Sequence, residues 1–361
     1  MVWYEKAAFD SEMRRTLEWG HDLADLETDI VPRAAAAGRI AAMSEAPIAV
    51  ICERWTLRST WAVGWQCFKR GIPTILPSDR VPDPNEPLVR RLARRALRKA
   101  SAPLFQGHMT TGTLGVRSLH ADGIHKSRIA RALYPIDVAL FQQRLAEQKD
   151  TASHVRHQWP EAAAAVVLAV AKHIERESPL LIIDTFHALR KREQAVKLVF
   201  VGDGPMRPAV EARIAELGLT SDVFLPGYVP YPNLPGYYGA SDVFLHVAAF
   251  GPWEISVSEA MACGVPVVTT ANIGSSVDLV VPGRTGAVAD SADASMLAER
   301  LSEVLRYPNR EATRTAVLSQ VRKIDTANAA AEIERLVDTL SQDRSARTGK
   351  LSDEMPPSPR R

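Results

Sequence analysis

Two carboxylates, Glu254 and Glu259, stand five residues apart in the stretch Gly251-Pro252-Trp253-Glu254-Ile255-Ser256-Val257-Ser258-Glu259-Ala260-Met261-Ala262-Cys263-Gly264. At that spacing they do not share a helix face. A polar, backbone-exposing turn runs into a helix expected over Val257–Ala262, and Gly264 stops it before a strand begins. A helix N-terminus presents unpaired amides and positive dipole character, which suits the phosphates of a nucleotide. The amides of Ile255, Ser256 and Val257 are placed for that task, and Glu259 in the first turn is suited to accept hydrogen bonds from ribose hydroxyls. Upstream, Lys172 and Arg176 supply cations in the loop Ala171-Lys172-His173-Ile174-Glu175-Arg176-Glu177-Ser178-Pro179. A guanidinium grips phosphate in a two-pronged fork. Glu175, Arg176 and Glu177 also suit a plain solvated loop whose charges pair with one another. Gly202-Asp203-Gly204-Pro205 follows an apolar strand, where glycines permit either a tight turn or close approach to a ligand.

The elements that must hold these residues follow a regular alternation. Strands are expected at Ala164–Val170, Lys197–Gly202, Val223–Gly227, Val243–Val247, Val265–Thr270 and Gly286–Ala289, with amphipathic helices between them. Short β-branched runs alternating with helices predict a parallel, doubly wound α/β sheet that binds ligands at the carboxyl ends of its strands. The first half alternates less fully, with strands expected at Ile48–Cys52, Thr74–Pro77, Pro103–Gln106 and Ile129–Tyr134. The chain thus divides into an N-terminal domain over 1–141, a polar linker over 142–160, a nucleotide-binding domain over 161–310, C-terminal helices over 311–342, and a tail from Asp343 whose composition predicts disorder.

The stretch around Glu259 resembles the nucleotide-sugar site of the retaining GT-B-fold glycosyltransferases of family 4. In that family a first glutamate lies eight residues before the second, and a common variant reads Glu-Pro-Trp-Gly. Gly251 stands here at the first glutamate's position and Glu254 at the glycine's. The loop around Lys172 is similar to the family's phosphate-binding loop, with Glu177 in place of a second basic residue. Gly227-Tyr228-Val229-Pro230 follows the Gly202-Asp203-Gly204 turn at family-like spacing. The resemblance implies two Rossmann-like domains and transfer of a sugar from a nucleotide-sugar donor to an acceptor hydroxyl with retention. It further implies Lys172 and Arg176 at the diphosphate, Glu254 near the sugar, and Gly202, Gly204 and Tyr228 around the base. No metal is expected, since His, Cys, Asp and Glu fall into no ligand spacing. No strand, glycine-rich loop and helix precede Phe9, so the N-terminal domain reads as incomplete. The substitutions at 251 and 177 admit an alternative, a catalytically impaired homologue acting as a partner or regulatory subunit.

The remaining features concern surroundings. Cys52, Cys67 and Cys263 form no CxxC, and with a net charge of only +2 the chain reads as cytoplasmic and without a nucleic-acid partner. His108 and His173 are expected to be ordinary loop residues. Arg90-Arg91-Leu92-Ala93-Arg94-Arg95-Ala96-Leu97-Arg98-Lys99 carries six cations at a spacing that gathers them on one side of a helix. That side suits either plain solvation or peripheral contact with an anionic membrane.

Overall fold

The computed structural model describes residues 7–10, 15–18, 35–52, 57–82, 86–158, 165–248, 251–271 and 273–353. The chain forms two compact units, one of residues 1–4, 28–134 and 327–361, the other of 5–27 and 135–326. Short strands β1 (Ala7–Asp10) and β2 (Arg15–Glu18) pair antiparallel.

The first unit is a four-stranded parallel sheet in sequential order, β3 (Val50–Ile51), β4 (Thr74–Ser78), β5 (Gly107–Thr110) and β6 (Ile129–Ala130). It carries α1 (Ala36–Ala42), α2 (Arg58–Lys69), α3 (Leu88–Ser101) and α4 (Gly112–Ala121). Alternation along a strand sends neighbouring side chains to opposite faces. Leu76 joins Cys52, Val63, Cys67 and Phe105 in a core with α2, whereas Ile75 and Met109 face Ala130, Leu336 and Leu340 on the other side.

The second unit opens with α5 (Val138–Glu147) and α6 (Lys149–Arg156) and then winds a six-stranded sheet. Its elements in chain order are β7 (Ala165–Val170), α7 (Pro179–Arg192), β8 (Val196–Val201), α8 (Arg207–Glu216), β9 (Val223–Gly227), α9 (Leu234–Gly239) and β10 (Val243–His246). There follow α10 (Ile255–Ala262), β11 (Val267–Thr270), α11 (Gly274–Leu279), β12 (Gly286–Ala289), α12 (Ala294–Leu305) and α13 (Arg310–Val321). The strand order is β12-β11-β10-β7-β8-β9 and each of these pairings is parallel. Val167, Ala169, Leu198, Phe200, Val243 and Leu245 fill one face, and Val166, Leu168, Val199, Val201 and Phe244 the other. Strands buried on both faces carry unbroken apolar runs for this reason. The last helix, α14 (Thr326–Asp353), brings the chain back to the first unit.

Three expectations are corrected. Over its described residues 142–158 the expected linker is not a bare connection: Leu145 and Ala152 pack against the second unit's core, and Val155 is 1% exposed within it. Helix replaces the disorder expected from Asp343 as far as Asp353, and 354–361 lie outside the described residues. The strand expected at Pro103–Gln106 lies at Gly107–Thr110, so His108 is a buried strand residue and not an ordinary loop residue.

Candidate functional site

The chain leaves β7 towards β8 on one side of the second sheet, while β10 pairs with β7 on the other. A crevice opens at the carboxyl ends of strands where the winding direction reverses. The loop after β7 carries Lys172 and Arg176, and the loop after β10 carries Gly251 and Glu254, so the two flank this switch point.

The β7 loop is braced by the residue that departs from the family pattern. Glu177 accepts the Lys172 backbone N–H at 2.8 Å through Oε2 and pairs with Arg176 Nη2 at 3.1 Å through Oε1. Arg176 is exposed and Lys172 half-buried. Glu177 therefore closes the loop as a hydrogen-bond acceptor, which a lysine cannot do. Behind the loop, His173 is fully buried, not an ordinary loop residue. Its N–H donates to the Asp203 carbonyl and its carbonyl accepts from Met206 N–H, each at 2.9 Å. Burial holds its imidazole down at about 4, with Arg207 adding to the effect.

Gly202 and Gly204 owe their identity to this crossing. Their φ values are +146° and +153°, which side chains rarely adopt. A Cβ on Gly202 would lie 1.9 Å from the Ala171 carbonyl oxygen, and one on Gly204 2.6 Å from that of His173. The two glycines thus let the β7 and β8 loops interlock, an architectural reason for glycine that the sequence could not separate from ligand approach. Tyr228 follows β9 and is 45% exposed.

Helix α10 begins two residues earlier than expected, at Ile255, with Glu254 as its extended N-cap residue. Ile255 and Ser256 keep the free amides of a first turn. The Val257 N–H is used internally, donating to the Glu254 carbonyl at 3.2 Å, so the structure does not leave it available. Glu259 lies in the second turn, not the first, and is 5% exposed. Its Oε2 accepts the Tyr238 hydroxyl at 2.8 Å. Burial pushes its carboxyl up to about 7, against the lowering effect of that hydrogen bond.

Glu254 occupies the space that Gly251 leaves. A Cβ built on Gly251 would lie 2.1 Å from Glu254 Oε1 and 3.0 Å from its Cδ. The carboxylate of residue 254 therefore stands where a side chain at 251 would start. Burial pushes the Glu254 carboxyl up to about 7, the Glu177 charge adds to this, and Arg176 opposes it. The loops of β7 and β10 are thus within electrostatic reach of one another.

Sequence reasoning passed over His246, the last residue of β10. It is 2% exposed, its Nδ1 lies 3.5 Å from Ser256 Oγ, and its Nε2 lies 3.7 Å from Glu254 Oε2. That last distance is too long for a hydrogen bond. Burial and Arg176 hold the imidazole neutral, down at about 4, and Nε2 is buried without a hydrogen-bond partner among the described residues. Trp253 Nε1, on the neighbouring loop, is in the same condition. The available signal was position alone, a polar residue ending a buried parallel strand. Tyr238, in α9, is a second residue that sequence reasoning did not connect to the site, and it is the partner of Glu259.

Cations, first-turn amides and buried carboxylates thus gather at the switch point of a doubly wound α/β sheet, the place where such sheets bind their ligands. Residues 154–317 match the family described as glycosyl transferases group 1. A GDP-mannose-dependent alpha-(1-6)-phosphatidylinositol monomannoside mannosyltransferase of Mycolicibacterium smegmatis is 27% identical over 271 residues, 72% of this chain and 67% of that protein. Anabaena Alr3699/HepE, solved in complex with UDP, superposes with a TM-score of 0.69 at 17% identity, covering 86% of this chain and 82% of that one. The UDP-forming trehalose-phosphate synthase of Burkholderia xenovorans gives 0.68 at 13% identity, covering 86% and 78%. The chain thus shares the fold of the GT-B glycosyltransferases, and its residues 154–317 are similar to the group 1 family.

Proposed function

We propose that this chain is a group 1 glycosyltransferase that moves a sugar, with retention, from a nucleotide-sugar donor to an acceptor hydroxyl without a bound metal, with Glu254 acting in place of the glutamate absent at 251. The observation that carries the reading is the Glu254 carboxylate, whose Oε1 lies 2.1 Å from where a Cβ at 251 would be. In this reading Lys172 and Arg176 meet the diphosphate, where compensating its growing negative charge is the main electrostatic task. The Ile255 and Ser256 amides position the donor from the N-terminus of α10. Glu254 accepts from sugar hydroxyls, and the free Nε2 of His246 lies beside it to bond the same group. Glu259, fixed by Tyr238, holds the ribose. Gly202 and Gly204 shape the base side of the crevice near Tyr228. The reaction takes place in the cytoplasm at the inner membrane face, which the chain meets through Arg90–Lys99. The phosphatidylinositol-linked acceptor named for the mycobacterial relative supports a lipid-borne acceptor here.

The experiment is binding of UDP, GDP, ADP and their sugar conjugates, read by thermal shift or calorimetry. One nucleotide should stabilise the protein, and Glu259→Ala should abolish the effect. In turnover with that donor, Glu254→Gln should lower kcat/KM about 10- to 100-fold, the range for losing a charged hydrogen bond. No stabilisation of the folded chain by any nucleotide would instead mark a non-catalytic partner.

A further inference from the structure

Helix α3 is mounted with its apolar side outward. At 3.6 residues per turn, Leu88, Val89, Leu92, Ala93, Ala96 and Leu97 gather on one half of the helix, and the arginines on the other. A helix covering a sheet ordinarily packs its apolar stripe on the strands. Here Arg98 and Ser101 are buried, while Leu88, Val89, Leu92 and Leu97 are 56%, 77%, 55% and 43% exposed. The inverted setting is held by charge. Asp122, beyond the end of α4, pairs with Arg94 Nε at 2.8 Å and Arg98 Nε at 3.0 Å, and Glu86 pairs with Arg94 from the other side. Arg98 also reaches Ser78 Oγ of β4 at 3.4 Å.

The outward stripe is bordered by Arg90, Arg91, Arg95 and Lys99, all exposed and without an ion pair among the described residues. The helix contains no acidic residue. Successive parallel strands joined by right-handed crossovers place α2 on the same face of the sheet as α3. On α2, Trp65 and Phe68 are 52% and 46% exposed and stack at 5.7 Å. The exposed apolar stripe of α3 marks an interaction site. Cations on the borders with no carboxylate among them are complementary to a sheet of phosphates, and a helix with this pattern lies flat at a lipid interface.

We infer that α3 is a membrane-docking helix that inserts Leu88, Val89, Leu92 and Leu97 into the headgroup–acyl boundary of an anionic bilayer, while Arg90, Arg91, Arg95 and Lys99 bind headgroup phosphates. The inference rests on the membrane-side reading of the function and deepens it, because contact is made by the leucine face with the four cations that border it and not by all six cations. Arg94 and Arg98 are structural and take no part.

The test is co-sedimentation of the full chain with phosphatidylcholine vesicles, with and without about a third phosphatidylglycerol. Wild type should pellet with the anionic vesicles, and Leu92→Glu should weaken partitioning about tenfold or more with an unchanged circular dichroism spectrum. Arg90→Gln with Arg95→Gln should remove the preference for anionic lipid. Folded wild type that stays in the supernatant, or Leu92→Glu that binds as wild type does, would overturn the inference. A dimer in vesicle-free solution that Leu92→Glu dissociates would give the face to a second copy instead. Nucleotide binding in vesicle-free solution reports separately on the donor site. Vesicle binding without nucleotide binding leaves docking standing and removes the enzymatic reading, and the converse removes docking alone.

Discussion

Two buried carboxylates held at about 7 make the site a proton store as well as a binding surface. Each folded-state value lies above the ordinary 4.5, so between those values the folded chain holds protons that the unfolded chain has released. Their stabilising contribution is therefore complete below about pH 4.5 and lost as pH rises through about 7. For Glu259 the loss is on the order of 3 kcal/mol. The buried imidazoles of His108, His173 and His246, lowered to about 3, 4 and 4, act in the opposite sense, costing stability as pH falls below their ordinary range. The bare Tm profile thus mixes two signs, and the difference between variants isolates one. Glu259→Gln keeps an acceptor for the Tyr238 hydroxyl and removes the ionisation. We expect it to melt above wild type at pH 8 and to lose that advantage at pH 5. Parallel Tm curves for the two proteins across that range would mean that Glu259 ionises without penalty.

At the scale of elements, α3 shows an ion pair deciding which way a helix faces. Removing one partner of a buried pair strands the other charge, which costs about 3–5 kcal/mol. Asp122→Ala strands both Arg94 and Arg98 and should destabilise the first unit by about that amount in denaturant titrations, whereas Arg98→Met should cost far less because Asp122 keeps its pair with Arg94. Equal effects from the two variants would show that packing and not charge sets the helix. This element also marks where sequence reading ends. In the second unit, Val223–Gly227 and Gly286–Ala289 coincide with their observed bounds, because apolar runs and glycine stops are local signals. The spacing in α3 identified a helix and its two sides, but which side turns inward depends on Asp122, more than twenty positions away. The candidate site divides in the same way. Its motifs fixed the loops after β7 and β10, yet the seating of Glu254 beside Gly251 and the bracing role of Glu177 are facts of side-chain reach that spacing does not carry.

The chain as a whole closes on itself, since α14 returns to a unit whose sheet was laid down two hundred positions earlier. Leu336 and Leu340, 0% and 4% exposed, complete the core formed by Ile75, Met109 and Ala130. Polar contacts set the helix in register: Arg335 Nη2 donates to the Ile129 carbonyl at 2.8 Å, and Glu332 accepts the Arg131 N–H at 3.4 Å. Local sequence marks residues 311–342 only as helical, and their split between α13 in the second unit and α14 in the first is tertiary information. Because the apolar face of the first sheet has no other cover among the described residues, this helix is part of its fold and not an appendage. Leu336→Ala should cost about 2–5 kcal/mol, the range for truncating a leucine in a closed core. The loss should fall on the first unit, seen as faster proteolytic cleavage within 28–134, while the nucleotide-induced stabilisation carried by the second unit persists. If cleavage in 28–134 is unchanged, the four-stranded sheet holds its core without α14. If nucleotide binding disappears along with it, the two units do not unfold independently.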